Sequence, residues 1–263
     1  MTMWIMYIAL GAFAGVLAGL LGVGGGLVIV PVLTFIFTAQ HLPDAHVLHL
    51  ALGTSLASIM FTSVSSLRAH HLRGAVDWLV VRRISCGIMV GTFGGSWVAA
   101  QLSTRFLKGF FVAFLYYVAT QMLLNIKPKP QRQLPGLPAM SGVGGLIGVV
   151  SSLVGIGGGS MSVPFLVWCN VAIHRAIGTS AAIGFPIALA GTVGYVVNGI
   201  SVPLPPHSLG FVYLPALAGI ASASIATAPL GAKLAHSLPI DTLKKIFALL
   251  LIVMGTKMLL SLL

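Results

Sequence analysis

The sequence predicts an all-α polytopic membrane protein built from two related halves. Three observations support this fold class: few charged residues, long apolar segments and an internal repeat. Of the 263 residues, 57% are hydrophobic and only 6% are charged, and the mean hydropathy is +1.05. Ordinary soluble domains carry about 25% charged residues, so this chain has too few charged residues to form the water-exposed surface of a soluble protein. Its apolar segments instead suit helices of about 20 residues that cross a bilayer.

The internal repeat divides the chain into halves. The glycine-rich run at residues 22–26 recurs at residues 155–159, and the Gly-Thr-Ser tripeptide at 53–55 recurs at 178–180. The order of the motifs is kept, as expected for a duplication. A polar, proline-rich stretch lies between the two copies. We therefore predict a first transmembrane repeat at residues 1–126, a cytoplasmic linker at 127–137 and a second transmembrane repeat at 138–263.

The apolar segments beside the glycine runs are unusually short. Segments 27–38, 139–154 and 160–172 hold 12 to 16 residues, or about 18–24 Å of helix, against a hydrocarbon core of about 30 Å. Each glycine run could therefore kink one spanning helix, or it could turn the chain back as a short or re-entrant hairpin.

The basic residues discriminate between these two arrangements, because they concentrate in the short cytoplasmic loops of membrane proteins. Hairpins invert the second half relative to the first and split the 14 Lys and Arg residues 11 to 3, whereas mid-span kinks split them 8 to 6. We therefore predict an inverted repeat with both termini outside, in which each half has a glycine-broken hairpin followed by three spanning helices. The basic residues assigned to the cytoplasmic side are Arg68, Arg73, Arg82, Arg83, Lys127, Lys129, Arg132, Arg175, Lys233, Lys244 and Lys245, and those assigned to the other side are Arg105, Lys108 and Lys257.

The glycine tips of the two hairpins are the predicted binding site. Backbone exposed at mid-membrane depth is tolerated only where protein buries it or where it lines a wet cavity. A helix that begins at such a tip presents free N–H groups and a positive dipole end, which bind anions without a formal charge. The alternative is that these glycines only allow close packing, as at the i, i+4 spaced glycines of segments 11–19 and 87–95. The tip residues predicted to bind substrate are Gly24, Gly25, Gly26, Gly157, Gly158, Gly159 and Ser160.

Hydroxyl groups open the helix that follows each hairpin. Thr54, Ser55, Thr179 and Ser180 are predicted to donate to an oxyanion at the same site. In the first half, hydroxyls continue at four-residue spacing through Ser58 and Thr62 to Ser66, which forms a polar stripe on one helix face. The alternative is that these hydroxyls bond to backbone carbonyls four residues earlier or to neighbouring helices.

The ionisable residues indicate only entry or gating roles. His49, Arg68, His70 and Arg73 are the candidates, because basic groups attract anions and a histidine can exchange protons near neutral pH; an ordinary basic loop is the alternative. His41, His46 and His49 lack the spacing and the accompanying ligands of a metal site, and the two cysteines form no CxxC pattern. We therefore predict no metal and no catalytic residues.

At this point the sequence resembles a known family. The glycine-rich break followed by Pro31, the Gly-Thr-Ser opening of the next helix, the loop from Arg68 to Trp78 and the repetition of this plan are similar to the TauE/SafE family over essentially the whole chain. Members of that family are implicated in moving sulfite, sulfoacetate and related sulfur-containing organic anions across the bacterial inner membrane, commonly outwards. The resemblance thus implies a multi-pass inner-membrane protein with a sulfite or organosulfonate substrate, whereas the residues alone indicate only a small anion. After Tyr195 the proline-rich stretch 203–206 replaces the basic loop, so we expect two chemically different gates.

These observations favour a secondary transporter that exports a small anion by alternating access and needs no cofactor. An anion channel, or a carrier for another small organic anion, stays open as the alternative, because the same tips would serve it. No enzyme is expected, since the chain lacks an HExxH motif and a Gly-x-Gly-Asp pair and has only three acidic residues. The net charge of +11 fits cytoplasmic loops better than nucleic-acid binding. Besides the anion and the lipid bilayer, the small-residue helix faces are compatible with a homodimer.

Overall fold

The computed structural model describes residues 2–124, 132–235 and 240–262, without the side chains of Thr2 and residues 240–243. This part of the chain folds almost entirely into helices. A single short β-hairpin in the described residues pairs Ser208 with Tyr213 and Leu209 with Val212. The helices are α1 (Thr2–Leu21), α2 (Gly26–Ala39), α3 (Val47–His71), α4 (Trp78–Gln101), α5 (Thr104–Leu123), α6 (Leu137–Val154), α7 (Gly159–Trp168), α8 (Ile173–Gly199), α9 (Leu214–Leu234) and α10 (Ile240–Leu260).

Six of these helices are long and apolar enough to cross a membrane, namely α1, α3, α5, α6, α8 and α9. The helices α4 and α10 are of similar length, with 24 and 21 residues. The short apolar helices are α2 and α7, with 14 and 10 residues. The prediction of an all-α polytopic membrane protein is confirmed.

The helices α6 and α7 differ in length from the sequence prediction. Helix α6 has 18 residues, or about 27 Å, so it is not one of the short segments. Helix α7 ends at Trp168 rather than near residue 172, because Asn170 has a left-handed φ of 65°. Helix α9 begins at Leu214, directly after the β-hairpin. The first part of the predicted linker, residues 127–131, lies outside the described residues.

Each glycine run turns the chain back on itself. In the first half, Gln40 after α2 donates a hydrogen bond to the Tyr7 hydroxyl near the start of α1 (2.9 Å). In the second half, the backbone N–H of Arg132 donates to the carbonyl of Trp168 at the end of α7 (3.4 Å), and the Arg132 guanidinium lies 5.2 Å from the centre of the Trp168 ring. The pairs α1–α2 and α6–α7 are therefore antiparallel hairpins.

The long helices of the hairpins pack against helices of the opposite half. The contacts advance in the same direction along both partners, so each pair runs parallel. Gly11, Gly15 and Gly19 of α1 lie against Ile220, Ser224 and Ala228 of α9, and Gly87, Gly91 and Gly95 of α4 lie against Ser141, Gly145 and Val149 of α6. These small-residue faces thus serve packing within the chain, as the i, i+4 spacing predicts.

The central pair is α3 and α8, which carry the two Gly-Thr-Ser motifs. Gly53 lies beside Tyr195, Gly191 beside Leu56 and Gly184 beside Ser63. The numbers rise along α3 as they fall along α8, so these two equivalent helices run antiparallel. Both are largely buried by the surrounding helices, and this antiparallel pair forms the middle of the molecule.

Contacts between loops define the two ends of the helix bundle. At one end, Arg175 in the first turn of α8 forms an ion pair with Asp77 at the start of α4 (3.2 Å). The Asp77 carboxylate also caps α4 by accepting from the N–H groups of Leu79 and Val80, which satisfies donors that the helix leaves free. At the other end, Thr104 donates a hydrogen bond to the carbonyl of Ala45.

Candidate functional site

The two glycine runs cross in direct backbone contact. A Cβ atom on Gly24 would lie 3.2 Å from the Cα of Gly157. A Cβ on Gly26 would collide with the carbonyl oxygen of Gly155, and a Cβ on Gly159 would collide with that of Gly22. In the repeat, Gly26 corresponds to Gly159 and Gly155 corresponds to Gly22. The last two contacts are therefore equivalent, which indicates a local pseudo-two-fold relation between the halves. We call residues 22–26 and 155–159 the glycine crossing.

The short helices α2 and α7 both begin at the crossing. Their N-cap residues, Gly25 and Gly158, have left-handed φ angles of 79° and 75°, a conformation that glycine adopts without the steric cost of a Cβ. The first N–H groups of a helix have no partner within the helix and carry its positive dipole end. The N-termini of α2 and α7 therefore both lie at the crossing, where Gly26 and Gly159 are buried.

Ser55 and Ser180 bind the crossing rather than pointing into open space. The Ser55 hydroxyl donates to the carbonyl of Gly155 (2.8 Å), and the Ser180 hydroxyl donates to the carbonyl of Gly22 (3.2 Å). Each serine thus holds the glycine run of the opposite half. The hydroxyl of Ser180 also lies 2.7 Å from that of Ser162, within hydrogen-bond distance.

Thr54 and Thr179 bond to backbone N–H groups just before α9 and α4. The Thr54 hydroxyl accepts from the N–H of Tyr213 (2.9 Å), and the Thr179 hydroxyl accepts from the N–H of Asp77 (2.9 Å). Both acceptors lie in the opposite half from their donors. In this conformation the four hydroxyls expected to contact an anion bind protein groups, and they fasten the two halves to each other.

Removing one of these serine hydroxyls is expected to lower stability. Ser180→Ala leaves the buried carbonyl of Gly22 without this donor, which costs about 1–3 kcal/mol, or roughly 2–10 °C in the melting temperature of a chain of this size. The matched control is Ser85→Ala, because the half-buried Ser85 hydroxyl bonds only to the carbonyl of Val81 on its own helix. Thermal unfolding in detergent measures both variants, and equal melting temperatures would contradict the fastening role.

The polar stripe of α3 divides into bonded and unbonded hydroxyls. Ser58 donates to the carbonyl of Thr54, and Thr62 donates to that of Ser58 and contacts the Ser224 hydroxyl (2.6 Å). These two follow the i−4 alternative. The Ser66 hydroxyl is buried without a hydrogen-bond partner among the described residues, and the Ser160 hydroxyl in α7 is likewise unpartnered.

One narrow cavity adjoins the crossing, with room for about one water molecule. Helices α1, α3 and α8 and the first glycine run surround it. Its lining residues are Ala18, Gly22, Gly24, Ser63, Ser66, Ala181 and Gly184. The sequence prediction included Gly24 but missed Ser63; the four-residue spacing of the α3 hydroxyls was the signal that pointed to Ser66.

The candidate gate residues lie apart from the crossing. His49 is 3% exposed, bonds to the carbonyl of Ala99 (3.1 Å) and packs on the Phe211 ring. His70 is buried and bonds to the carbonyl of Gly19 (2.8 Å), close to the cavity. Arg68 is exposed, and Arg73 donates to the carbonyl of Ala69.

The described residues contain no group of three or more His, Cys, Asp or Glu side chains that could hold a metal ion. The lining of the cavity is uncharged. Any ligand held at the crossing would therefore be bound by amide and hydroxyl groups, a chemistry that suits an anion at helix N-termini.

Comparisons with known proteins find relatives along nearly the whole chain. The profile of the family described as "Sulfite exporter TauE/SafE" matches residues 7–258. A "Probable membrane transporter protein" of Haemophilus influenzae is 41% identical over 99% of both chains. "Probable membrane transporter protein MJ0441" of Methanocaldococcus jannaschii is 27% identical over 97% of this chain and 95% of its own length. No solved structure matches the chain.

The names of these relatives indicate a membrane transporter rather than an enzyme. The six apolar spans give a multi-pass membrane protein. Together with the family match over nearly the whole sequence, these findings establish that the chain belongs to the TauE/SafE sulfite exporter family.

Proposed function

We propose that the protein is a secondary transporter that exports a small sulfur-containing anion, sulfite or an organosulfonate, across the bacterial inner membrane by alternating access. The observation that carries the proposal is that two helix N-termini, capped by Gly25 and Gly158, begin at the buried crossing of the two glycine runs. Such ends favour negative charge. The family description supplies the sulfur chemistry.

The proposed transporter is an inverted repeat with both termini outside. Three contacts support this arrangement. The equivalent helices α3 and α8 run antiparallel. The pair Arg175–Asp77 joins the turn before α8 to the loop before α4, two places that lie on one side of the membrane only if the glycine runs form hairpins. The Tyr7–Gln40 contact closes the first hairpin.

The proposed site comprises the N–H groups of Gly24, Gly25, Gly26, Gly157, Gly158, Gly159 and Ser160. Ser55 and Ser180 hold these tips in place, and Thr54 and Thr179 fasten the helices beside them to the opposite half. Since those hydroxyls bond across the halves, movement of one repeat against the other must exchange some of these bonds. The crossing thus links substrate binding to the relative position of the halves.

The membrane potential can drive the proposed export. An anion that leaves the cytoplasm moves towards the positive side, which is worth about 2.3 kcal/mol per charge per 100 mV. No cofactor is required by this scheme. An anion channel, or a carrier for another organic anion, is the second candidate, because uncharged amides discriminate little between small anions.

Flux through purified protein tests the proposal. Proteoliposomes loaded with unlabelled sulfite should accumulate labelled sulfite by counterflow, and sulfonates should compete for it. Counterflow requires a site that binds substrate alternately from the two sides, so a transporter gives transient accumulation and a channel gives none. Absence of sulfite or sulfonate flux under an imposed potential would contradict the proposed substrate class.

A further inference from the structure

The cavity beside the glycine crossing is lined by a buried hydroxyl, that of Ser66, which has no hydrogen-bond partner among the described residues. Ser66 is 2% exposed, and its hydroxyl makes no hydrogen bond to any described residue. Ser63, one turn earlier, also lines the cavity and donates only to the carbonyl of Met60 on its own helix (3.0 Å). Buried hydroxyls are normally hydrogen-bonded, so an unpaired one that faces a cavity indicates a partner from outside the chain.

The equivalent place in the other half of the molecule is occupied by apolar side chains. The repeat relates Ala181 and Gly184, which line the cavity, to Leu56 and Ile59. A Cβ on Gly191 would lie 2.8 Å from a methyl group of Leu56, and one on Gly157, the equivalent of Gly24, would lie 3.3 Å from Cγ2 of Ile59. Both side chains are fully buried. The crossing is therefore flanked by a cavity with two serines on one side and by two bulky apolar side chains on the other.

The cavity lies towards the end of the bundle that holds the Arg175–Asp77 ion pair. Ser66 is near the C-terminal end of α3, and Ala181 is near the N-terminal end of α8. In the proposed topology this end is cytoplasmic. An anion from the cytoplasm would meet the cavity before it reached the N-terminus of α2.

We propose that Ser66, together with Ser63, forms a cytoplasmic subsite for a small oxyanion, and that Leu56 and Ile59 close the path from this subsite to the outside. The inference rests on the proposed transport function, and it identifies where the transported anion binds when it enters from the cytoplasm. The hydroxyls donate to oxyanion oxygens, and the positive end of α2 lies next to them. Because the described conformation has room for about one water molecule, the helices around the cavity must separate to admit the anion.

Protection of an introduced thiol tests the subsite independently of flux. In a background with Cys86→Ser and Cys169→Ser, Ser66→Cys should react with a charged, membrane-impermeant thiol reagent in inside-out vesicles, and methanesulfonate should slow the reaction. Ser58→Cys is the matched control, because Ser58 is fully buried on the same helix and its hydroxyl bonds to the carbonyl of Thr54; this variant should stay unlabelled. A Ser66→Cys variant that does not react from the cytoplasmic side, or is not protected, overturns the subsite.

Transport kinetics supply the second measurement. Ser66→Ala should raise the KM for sulfite about tenfold, the loss expected for one hydrogen bond to a charged group, while Ser58→Ala should stay within about twofold of the unaltered protein. If the protein moves sulfite and Ser66→Ala leaves KM unchanged, the subsite is wrong and the transport function stands. If methanesulfonate protects the thiol and no anion is moved, the subsite stands and the transport function is wrong.

Discussion

Gly159→Ala is expected to reduce sulfite flux at least about tenfold. The added Cβ would collide with the carbonyl oxygen of Gly22 and would lie 2.6 Å from the Cα of Val23. Both are backbone atoms and cannot rotate aside, so the two runs must separate, and overpacking of this kind costs about 1–3 kcal/mol or more. Gly159 has a helical conformation without a positive φ, so the substitution introduces no backbone strain of its own.

The control for this prediction is Gly142→Ala in α6. Gly142 is also helical, and a Cβ there would meet nothing within 4 Å, so alanine should leave flux unchanged and raise helix stability by up to about 1 kcal/mol. Gly26→Ala tests the crossing from the other half, since its Cβ would collide with the carbonyl of Gly155. Size-exclusion chromatography of each purified variant shows whether it folds. Normal flux in Gly159→Ala would contradict a functional role for the close crossing.

The sequence predicted the fold well where a single physical signal dominates. Apolar length located the helices, and the repeated glycine runs located the hairpins, because five residues rich in glycine interrupt any helix. The end of α7 was missed for a local reason. Asn170 takes a left-handed conformation, which does not interrupt the apolar pattern from which the boundary was taken.

The candidate site was predictable in position more than in chemistry. The repeat indicated that the two glycine runs would lie near each other, and in the structure Gly26 contacts Gly155 and Gly159 contacts Gly22. The sequence pattern could not indicate which group each hydroxyl would bond to. Ser180 donates to Gly22 over 158 residues of sequence, a contact that depends on how the halves pack. The unpaired Ser66 could be recognised only once its neighbours on the stripe were seen to be bonded.

The loop after α3 and the residues after α10 are expected to lie on opposite sides of the membrane. Leu72→Cys, at a residue 76% exposed in the loop after α3, should react with an impermeant thiol reagent only in inside-out vesicles. Ser261→Cys, after α10, should react in right-side-out spheroplasts. Both variants require the Cys86→Ser and Cys169→Ser background. The expected result is all-or-none for each thiol, because charged reagents do not cross the bilayer.

This experiment separates the inverted arrangement from its competitor because mid-span kinks would place both thiols on the same side. The charge distribution favours the inverted form, with 11 rather than 8 of the 14 basic residues on the cytoplasmic side. The contact between Arg175 and Asp77 favours it independently, since a 3.2 Å ion pair cannot form between groups separated by a hydrocarbon core of about 30 Å. Labelling of both thiols from one side would therefore require a different packing of α8 against α4, and the crossing of the two glycine runs would be lost with it.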